Sequence, residues 1–284
     1  MIGPAPVRSS GRRLSPAELH AAMAAPADAD GFASRWQPVG DLRLHIRQRV
    51  SPSPEPIACV LLHGLAVSHR YLMPTARRLR KRRVYVPDLP GFGRSGRPAA
   101  VLDVAGHARV VAAWLDDAGL GPIAVLGNSF GAQVAVQVAA SRPDLVAALV
   151  LVGPTTDPAA ASMSGQLGRL LRDLPHEDPQ QARILAADLR DAGLRRVVAT
   201  LRHAVRDPIA PKLAALRVPT LLARGSRDRI APQPWLDHLA ALVPGARMLV
   251  LAGAAHNAVT TAGAELAEAV DEFLANALVP PVTP

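Results

Sequence analysis

Hydrophobic and polar residues along the chain follow a pattern that predicts strands and helices in alternation. Short runs that are apolar at every position predict buried strands at 57–62, 84–86, 123–126 and 146–152. Segments with helical periodicity lie between them, at 71–80, 101–118 and 130–140. Strands that are apolar on both faces and alternate with helices are typical of a parallel sheet covered on both sides, so we expect an α/β fold.

The beginning of the chain has a different pattern. Leu42, Leu44 and Ile46 alternate with polar residues after a turn predicted at 40–41, which indicates a half-buried strand at the edge of the sheet. Residues 1–33 are rich in Pro, Ala and Ser, and this composition predicts a loosely held N-terminal arm.

The alternation of strands and helices stops after the strand at 146–152. From 154 to 211 the pattern is helical, with helices predicted at 165–174, 180–192 and 195–205 and no strand. The earlier pattern then resumes with a strand at 220–223, a helix at 235–242, a strand at 248–251 and a helix at 264–277. We therefore expect a core made of residues 34–153 and 212–284, with a helical insertion at 154–211.

Composition and charge indicate a protein with a large core and argue against a nucleic-acid-binding protein. The chain has 284 residues, of which 49% are hydrophobic and 19% charged, so it can bury a large core. The formal net charge is +9, but the arginines are scattered along the chain. The densest basic run, at 77–83, comes at the end of a predicted helix and has no interleaved aromatic residues. We therefore expect no nucleic-acid partner.

Features of membrane, secreted and metal-dependent proteins are absent from the sequence. No apolar stretch reaches the roughly 18 residues that a bilayer span requires, and the first residues lack the apolar run of a secretion signal. The single cysteine, Cys59, lies in an apolar run and precludes an internal disulfide. No metal-ligand spacing and no dinucleotide fingerprint is present. We expect a cytoplasmic protein with no metal, no cofactor and no membrane partner; a homodimer is compatible with the sequence.

The strongest chemical signal is the segment 127–131, which has the sequence Gly-Asn-Ser-Phe-Gly. It follows a predicted strand and opens a predicted helix, which is the context of a G-x-S-x-G nucleophile elbow. So sharp a turn strains the backbone and requires residues without bulk on either side of the nucleophile, a need that Gly127 and Gly131 meet. We expect Ser129 to be the nucleophile and the backbone N–H of Phe130 to bind an oxyanion. A glycine-rich turn with a helix-capping serine is the alternative.

A serine nucleophile requires a base and an orienting carboxylate. Among the nine histidines, His256 is best placed, because it lies on a loop of small residues just beyond the strand predicted at 248–251. Asp228 follows the strand predicted at 220–223, so both side chains come at the carboxyl edge of the sheet, where open parallel sheets bind ligands. Asp157 follows an earlier strand and is a second candidate for the acid, although Asp157-Pro158 is also typical of a turn.

The loop after the strand at 57–62 is the expected source of a second oxyanion donor. It has the sequence His63-Gly64-Leu65-Ala66. Gly64 permits a close approach of the backbone, and the N–H of Leu65 is the expected donor. Because His256 is the better base, we expect His63 to be a packing and hydrogen-bonding residue.

Together these motifs resemble those of the α/β-hydrolase superfamily. The resemblance rests on the segments 63–64, 88–96, 127–131 and 225–228 and on the loop around His256, and it covers roughly residues 35 to 277. It implies a mostly parallel, eight-stranded sheet with helices on both faces and a helical cap at 154–211. The chain order Ser129, Asp228, His256 is the order expected for a catalytic triad on this fold. The segment 88–96 is a structural signature, to which we assign no catalysis.

The nucleophile narrows the activity that the resemblance implies. Ser129 argues against haloalkane dehalogenases and epoxide hydrolases, which carry aspartate at the elbow. We expect a hydrolase that cleaves a small acyl compound, such as a carboxylic ester, through an acyl-enzyme. A carbon–carbon bond hydrolase of ring-fission diketones, a cofactor-free haloperoxidase-like enzyme and a non-catalytic binding protein are the alternatives. The loop at 63–68 and Asn257 after the histidine depart from the carbon–carbon hydrolases, which have a longer Gly-Pro-Gly-type loop and an aromatic residue there.

Overall fold

Eight strands in the described part of the chain form one sheet. The computed structural model describes residues 31–49 and 57–277, so most of the predicted arm at 1–33 lies outside the described residues. The strands are β1 (Ala33–Val39), β2 (Leu42–Arg49), β3 (Cys59–Leu62), β4 (Val84–Pro87), β5 (Ile123–Asn128), β6 (Val146–Val152), β7 (Thr220–Gly225) and β8 (Arg247–Leu251). Their order in the sheet is β1-β2-β4-β3-β5-β6-β7-β8. The first two pairings are antiparallel and the rest are parallel, which confirms the predicted fold class.

Helices cover both faces of this sheet. The α-helices of the described residues are α1 (His69–Arg78), α2 (Val104–Asp117), α3 (Phe130–Ser141), α4 (Met163–Asp173), α5 (Ala182–Ala192), α6 (Leu194–Ala204), α7 (Ile209–Ala215), α8 (Gln233–Leu242), α9 (Ala258–Thr261) and α10 (Gly263–Ala277). Successive strand residues point to opposite faces, so Val125 packs in one core with α2 and α3 while Leu126 packs in the other with α1 and α10. This double coverage explains why the central strands are apolar at every position.

The prediction that the strand beginning at Leu42 forms the sheet edge is wrong. β2 lies between β4 and β1, and β1 is the edge strand, joined to β2 by the predicted turn at 40–41. The residues of β1 lack apolar alternation, since Trp36 is 43% exposed and Pro38 cannot donate a ladder hydrogen bond. An edge strand is held by one partner and packs little, so its sequence carries a weak signal.

Between β6 and β7 the chain forms helices and turns without a strand, over residues 153–219. Helices α4, α5 and α6 lie within two residues of their predicted bounds. Helix α7 was not predicted, and the expected boundary between residues 211 and 212 falls inside it. Ile209 and Leu213 of α7 are buried in the core beneath the sheet, so this helix packs as part of the core. No helix in the described ranges is both long and apolar enough to cross a bilayer.

Candidate active site

Ser129 lies at the sharp turn between β5 and α3. Its backbone has φ +54° and ψ −118°, a conformation that non-glycine residues rarely adopt. The turn is held because the Ser129 N–H donates to Val152 O on the neighbouring strand, at 2.9 Å. The Ser129 hydroxyl makes no capping bond to α3, so the alternative of a helix-capping serine does not fit the structure.

The two flanking glycines are required by the space around them. A Cβ on Gly127 would lie 2.4 Å from Gly131 O, and a Cβ on Gly131 would lie 2.2 Å from Leu62 O. Both contacts are with backbone atoms and are far shorter than any real Cβ contact. The steric reason given for the motif therefore holds in three dimensions: β5, α3 and β3 approach one another too closely for any side chain at these positions.

The loop after β3 is held by its histidine. His63 is fully buried, its Nε2 accepts the N–H of Leu89 at 2.9 Å, and its Nδ1 donates to Gly64 O at 2.8 Å. Burial lowers the pKa of His63, which agrees with a neutral ring that both accepts and donates. In this structure His63 is therefore buried and hydrogen-bonded through both ring nitrogens.

The same bond orients the expected oxyanion donor. In a trans peptide the C=O and the next N–H point in opposite directions, so the Gly64 carbonyl bonded to His63 turns the Leu65 N–H away from that ring. Within the described residues, the N–H groups of Leu65 and Phe130 have no backbone acceptor. Gly64 brings this loop close to the elbow, since a Cβ there would lie 3.3 Å from the Cβ of Ser129.

His256 and Asp228 form a buried pair at the carboxyl ends of β7 and β8. The His256 Nδ1 lies 3.0 Å from Asp228 Oδ2, and the other carboxylate oxygen accepts the N–H groups of Ile230 and Ala231, both at 2.8 Å. These bonds fix the plane of the carboxylate and place its free oxygen toward the imidazole. Gly153 leaves room for the pair, because a Cβ there would lie 3.0 Å from the ring of His256.

The electrostatics of His256 are dominated by two opposing effects. Burial disfavours the charged imidazolium and lowers its pKa, but the charge and hydrogen bond of Asp228, with the charges of Asp173 and Glu177, outweigh burial. The net effect raises the pKa of His256 to about 9. The imidazole is held with Nδ1 toward the carboxylate, and among the described residues its Nε2 has no hydrogen-bond partner.

Asp157, the second candidate for the acid, binds groups other than the histidine. Its carboxylate pairs with the guanidinium of Arg169 and accepts the N–H of Ala159 at 2.9 Å. The histidine pairs with Asp228, and the structure records no bond between His256 and Asp157 among the described residues.

A cavity of about 460 Å³ joins these groups. Ser129 and His256 both line it, although no hydrogen bond joins them among the described residues, and Leu65 and Phe130 lie in the same wall. Much of the opposite wall comes from the segment between β6 and β7, through residues including Leu167, Leu170, Leu174, Ile184, Leu185, Val197, Leu201 and Val205. Among the described residues that line the cavity there is no lysine or arginine, whereas Asp173, Glu177 and Asp178 are present.

Two of these acids connect the helical segment to the loops of the histidine and its carboxylate. Asp173 accepts the N–H of Arg229, next to Asp228, at 2.8 Å, and Glu177 Oε1 accepts the N–H of Asn257, next to His256, at 2.9 Å. Burial, together with the neighbouring carboxylate of Asp173, raises the pKa of Glu177. Nothing in the sequence marks either acid, because they belong to no motif and their partners are backbone groups far away in the chain.

A second buried cluster underlies the segment 88–96. The Asp88 carboxylate accepts the ring Nδ1–H groups of His45 and His69 at 2.8 and 2.9 Å, and also the backbone N–H groups of His69 and Arg94. Although burial alone raises the pKa of Asp88, the contacts with His69 and His45 hold it well below its usual value. Two histidines and a carboxylate are metal-ligand types, but here they bond to each other and to the backbone. The expected absence of a metal stays a prediction.

Comparison with known proteins agrees with this geometry. The sequence matches the model of the alpha/beta hydrolase family over residues 59–269. Lipase LipV of Mycobacterium tuberculosis is 37% identical over 140 residues, which cover 49% of this chain and 52% of that protein. The chain thus spans about half the length of that relative.

Another relative and a solved structure cover more of the chain. The 2-hydroxymuconate semialdehyde hydrolase of Pseudomonas putida is 30% identical over 219 residues, which cover 69% of this chain and 78% of that protein. The crystal structure of a putative lipase from Acinetobacter baumannii superposes with a TM-score of 0.74 at 20% identity, over 94% of this chain and 98% of that one. At that identity the structural likeness is evidence for the fold alone.

Proposed function

The chain belongs to the alpha/beta hydrolase family, and on this premise we propose that it is a serine hydrolase that cleaves small, neutral carboxylic esters through an acyl-enzyme. The main support is the His256–Asp228 pair, 3.0 Å apart, on the same cavity as a serine at positive φ. An imidazole oriented by a buried carboxylate beside a hydroxyl is the arrangement that activates serine for attack on an acyl carbon.

The proposed reaction begins at Ser129. His256 holds its Nδ1 proton toward Asp228, so Nε2 is free to take the hydroxyl proton as Ser129 Oγ attacks the ester carbonyl. The tetrahedral intermediate then collapses, the carbon–oxygen bond to the alcohol breaks, and His256 returns the proton to the leaving alcohol. Water attacks the acyl-enzyme with His256 again as the base, which releases the carboxylic acid and restores Ser129.

Two backbone N–H groups are proposed to bind the oxyanion. The N–H of Phe130 is in the first turn of α3, where helix geometry provides no acceptor, and the helix dipole favours negative charge there. The N–H of Leu65 is turned away from His63 by the bond between His63 and Gly64 O. Loss of one such donor typically lowers kcat by about 10²–10³.

The cavity supports a neutral substrate. Its wall is mostly apolar, and among the described residues it offers acidic side chains but no lysine or arginine. An anionic substrate would lose its hydration there and would find no lysine or arginine, so the cavity selects substrates by excluding such anions as well as by fit. We propose that the segment 154–211 acts as a cap and that its leucines determine which acyl chains are accepted.

A carbon–carbon bond hydrolase is the second candidate. It is favoured by the relative from Pseudomonas putida, whose name describes action on a muconate semialdehyde. A muconate carries a carboxylate, and the described cavity wall has no lysine or arginine to receive it. The carbon–carbon hydrolase therefore ranks behind the esterase, and turnover of a coloured ring-fission product with little activity on short esters would reverse this order.

Hydrolysis of p-nitrophenyl butyrate by the wild type and by Ser129→Ala tests the proposal. We expect the variant to lose activity by a factor on the order of 10⁶ in kcat while its thermal unfolding is unchanged. A fluorophosphonate probe should label the wild type and not the variant. Equal rates for the two proteins would refute the assignment, and a folded wild type that takes no label would indicate a binding protein in place of an enzyme.

A further inference from the structure

Gln181 is a buried polar residue in the cavity wall that the proposed mechanism does not use. It lies at the end of a 3₁₀ turn (Pro179–Gln181) just before α5, is 5% exposed, and lines the same cavity as Ser129. Among the described residues, neither its Oε1 nor its Nε2 has a hydrogen-bond partner, and the side chain does not cap α5. A carboxamide buried without partners is unfavourable, so its role is to be sought in the binding of a ligand.

The other carboxamide side chains of the cavity wall form hydrogen bonds with other groups of the protein. Gln133 donates to the carbonyls of Ala204 and Asp207, and Gln166 donates to that of Ala160. Asn128 likewise donates to a backbone carbonyl, and Asn257 accepts the hydroxyl of Tyr71. These bonds fix the wall, whereas Gln181, a residue of the same mostly apolar wall, has a buried amide with no partner for its donor or its acceptor among the described residues.

We propose that Gln181 forms a subsite for an uncharged amide group of the substrate, either a primary carboxamide or a lactam. This inference rests on the proposed function and names its substrate class: neutral esters or lactones that also carry such an amide. A carboxamide presents its oxygen and its N–H side by side, so it forms two parallel hydrogen bonds with a group that does the same. Primary amides and lactams have that geometry, whereas a ketone or ester offers only an acceptor.

The acidic character of the wall makes a charged alternative unfavourable. A carboxylate would match the Nε2 donor of Gln181 but not its Oε1, and the cavity also contains Glu177 and Asp178. A neutral amide meets both atoms and introduces no charge. A polar site discriminates strongly against a ligand without hydrogen-bonding groups, because its own buried groups are then left unpaired. An apolar site discriminates less strongly against a ligand that carries such groups.

Binding of two ligands of the same shape tests the subsite without relying on catalysis. Hexanamide and heptan-2-one differ only in an amino group in place of a methyl group beside the carbonyl. We expect titration calorimetry to give at least tenfold tighter binding of hexanamide to the wild type. Gln181→Met should abolish that difference, and Gln180→Met should retain it, because Gln180 is an exposed neighbour outside the cavity wall.

Equal affinities of the wild type for the two ligands, or a preference that survives in Gln181→Met, would overturn the proposal. Gln181→Leu serves as a second variant, which removes both the donor and the acceptor and should also lose the preference. Thermal unfolding of each variant shows whether it is folded.

A kinetic comparison then separates this inference from the proposed function. The substrates are p-nitrophenyl esters of matched chain length that end in a carboxamide or in a methyl ketone. We expect kcat/KM to favour the carboxamide by about tenfold to hundredfold in the wild type and not in Gln181→Met. Ester hydrolysis without this preference contradicts the subsite alone. Selective amide binding with no ester hydrolysis and no fluorophosphonate labelling contradicts the esterase alone.

Discussion

Replacement of Asp228 by asparagine is the sharpest test of how the active site works. The substitution keeps an oxygen that can accept the N–H groups of Ile230 and Ala231. It places an NH₂ group opposite His256 Nδ1 where Oδ2 now lies, at 3.0 Å. The ring nitrogen must then be an acceptor, so the remaining proton moves to Nε2 and blocks the side that faces the substrate. A histidine in this tautomer cannot take a proton from Ser129, and we expect kcat to fall by about 10⁴.

The size of the electrostatic effect follows from the pKa of His256. Its rise from 6.5 to about 9 corresponds to roughly 3 kcal/mol at about 1.36 kcal/mol per pKa unit. Because the pKa in the folded state lies above that in the unfolded state, this stabilisation is fully present below pH 6.5 and is lost as the pH rises through about 9. In Asp228→Asn the burial of the ring still lowers the pKa while its main opposing charge is gone. We therefore expect the free energy of unfolding of the wild type to be higher than that of the variant by roughly 3 kcal/mol at pH 6. At pH 10 we expect the two free energies to differ little.

The assays are p-nitrophenyl butyrate hydrolysis and urea unfolding between pH 6 and pH 10. Asp157→Asn is the matched control, because Asp157 pairs with Arg169 and does not contact the histidine. We expect it to keep kcat within about threefold of the wild type. A value of kcat for Asp228→Asn within tenfold of the wild type would refute the tautomer argument. A difference in unfolding free energy that stays constant from pH 6 to pH 10 would refute the electrostatic one.

Three further predictions address the base, the elbow and the acid pair. The wild-type kcat/KM should rise with pH toward about 9, since His256 must be neutral to accept a proton, and a profile that is flat from pH 6 to pH 9.5 would contradict this. Gly131→Ala should lower the unfolding free energy by more than about 3 kcal/mol in urea titrations, because its Cβ would lie 2.2 Å from a backbone oxygen. Gly168→Ala, in helix α4 with nothing within 4 Å of the new Cβ, should instead be neutral or stabilising by up to about 1 kcal/mol. Glu177→Gln should stabilise the protein at pH 8.5 more than at pH 5, because the raised pKa makes ionisation of the buried carboxyl costly as the pH rises above its ordinary range. An equal effect at both pH values would show that Glu177 is not held protonated.

Local features of this protein were predictable because they follow from short stretches of chain. The apolar runs of the central strands are imposed by helices on both faces of the sheet, and α4 to α6 were recognisable from their periodicity. The elbow was equally local, since the motif specifies a steric requirement that the two glycines meet wherever the turn occurs. The position of His256 and Asp228 beyond two parallel strands was sufficient to bring them to one edge of the sheet.

Other features depended on contacts between distant parts of the chain. The edge strand β1 is held mainly by hydrogen bonds to β2, and its side chains show no periodicity that would reveal it. The choice between Asp228 and Asp157 was open in the sequence, because both follow strands of the same sheet. In the structure the guanidinium of Arg169 in α4 pairs with Asp157, whereas Asp228 pairs with the histidine.

The residues of the helical segment that line the site could not be predicted from the sequence. Asp173 and Glu177 bond to backbone groups next to Asp228 and His256, and the amide of Gln181 has no hydrogen-bond partner among the described residues. Backbone partners leave no mark on residue identity, and an unpaired amide looks like any other glutamine in a sequence. The sequence therefore determined the sheet and the sharp turn at Ser129 through short-range sterics and periodicity. Only the packing of distant segments decided that Asp228 pairs with His256, that Asp173 and Glu177 bond to the neighbouring loops, and that Gln181 lies in the cavity wall.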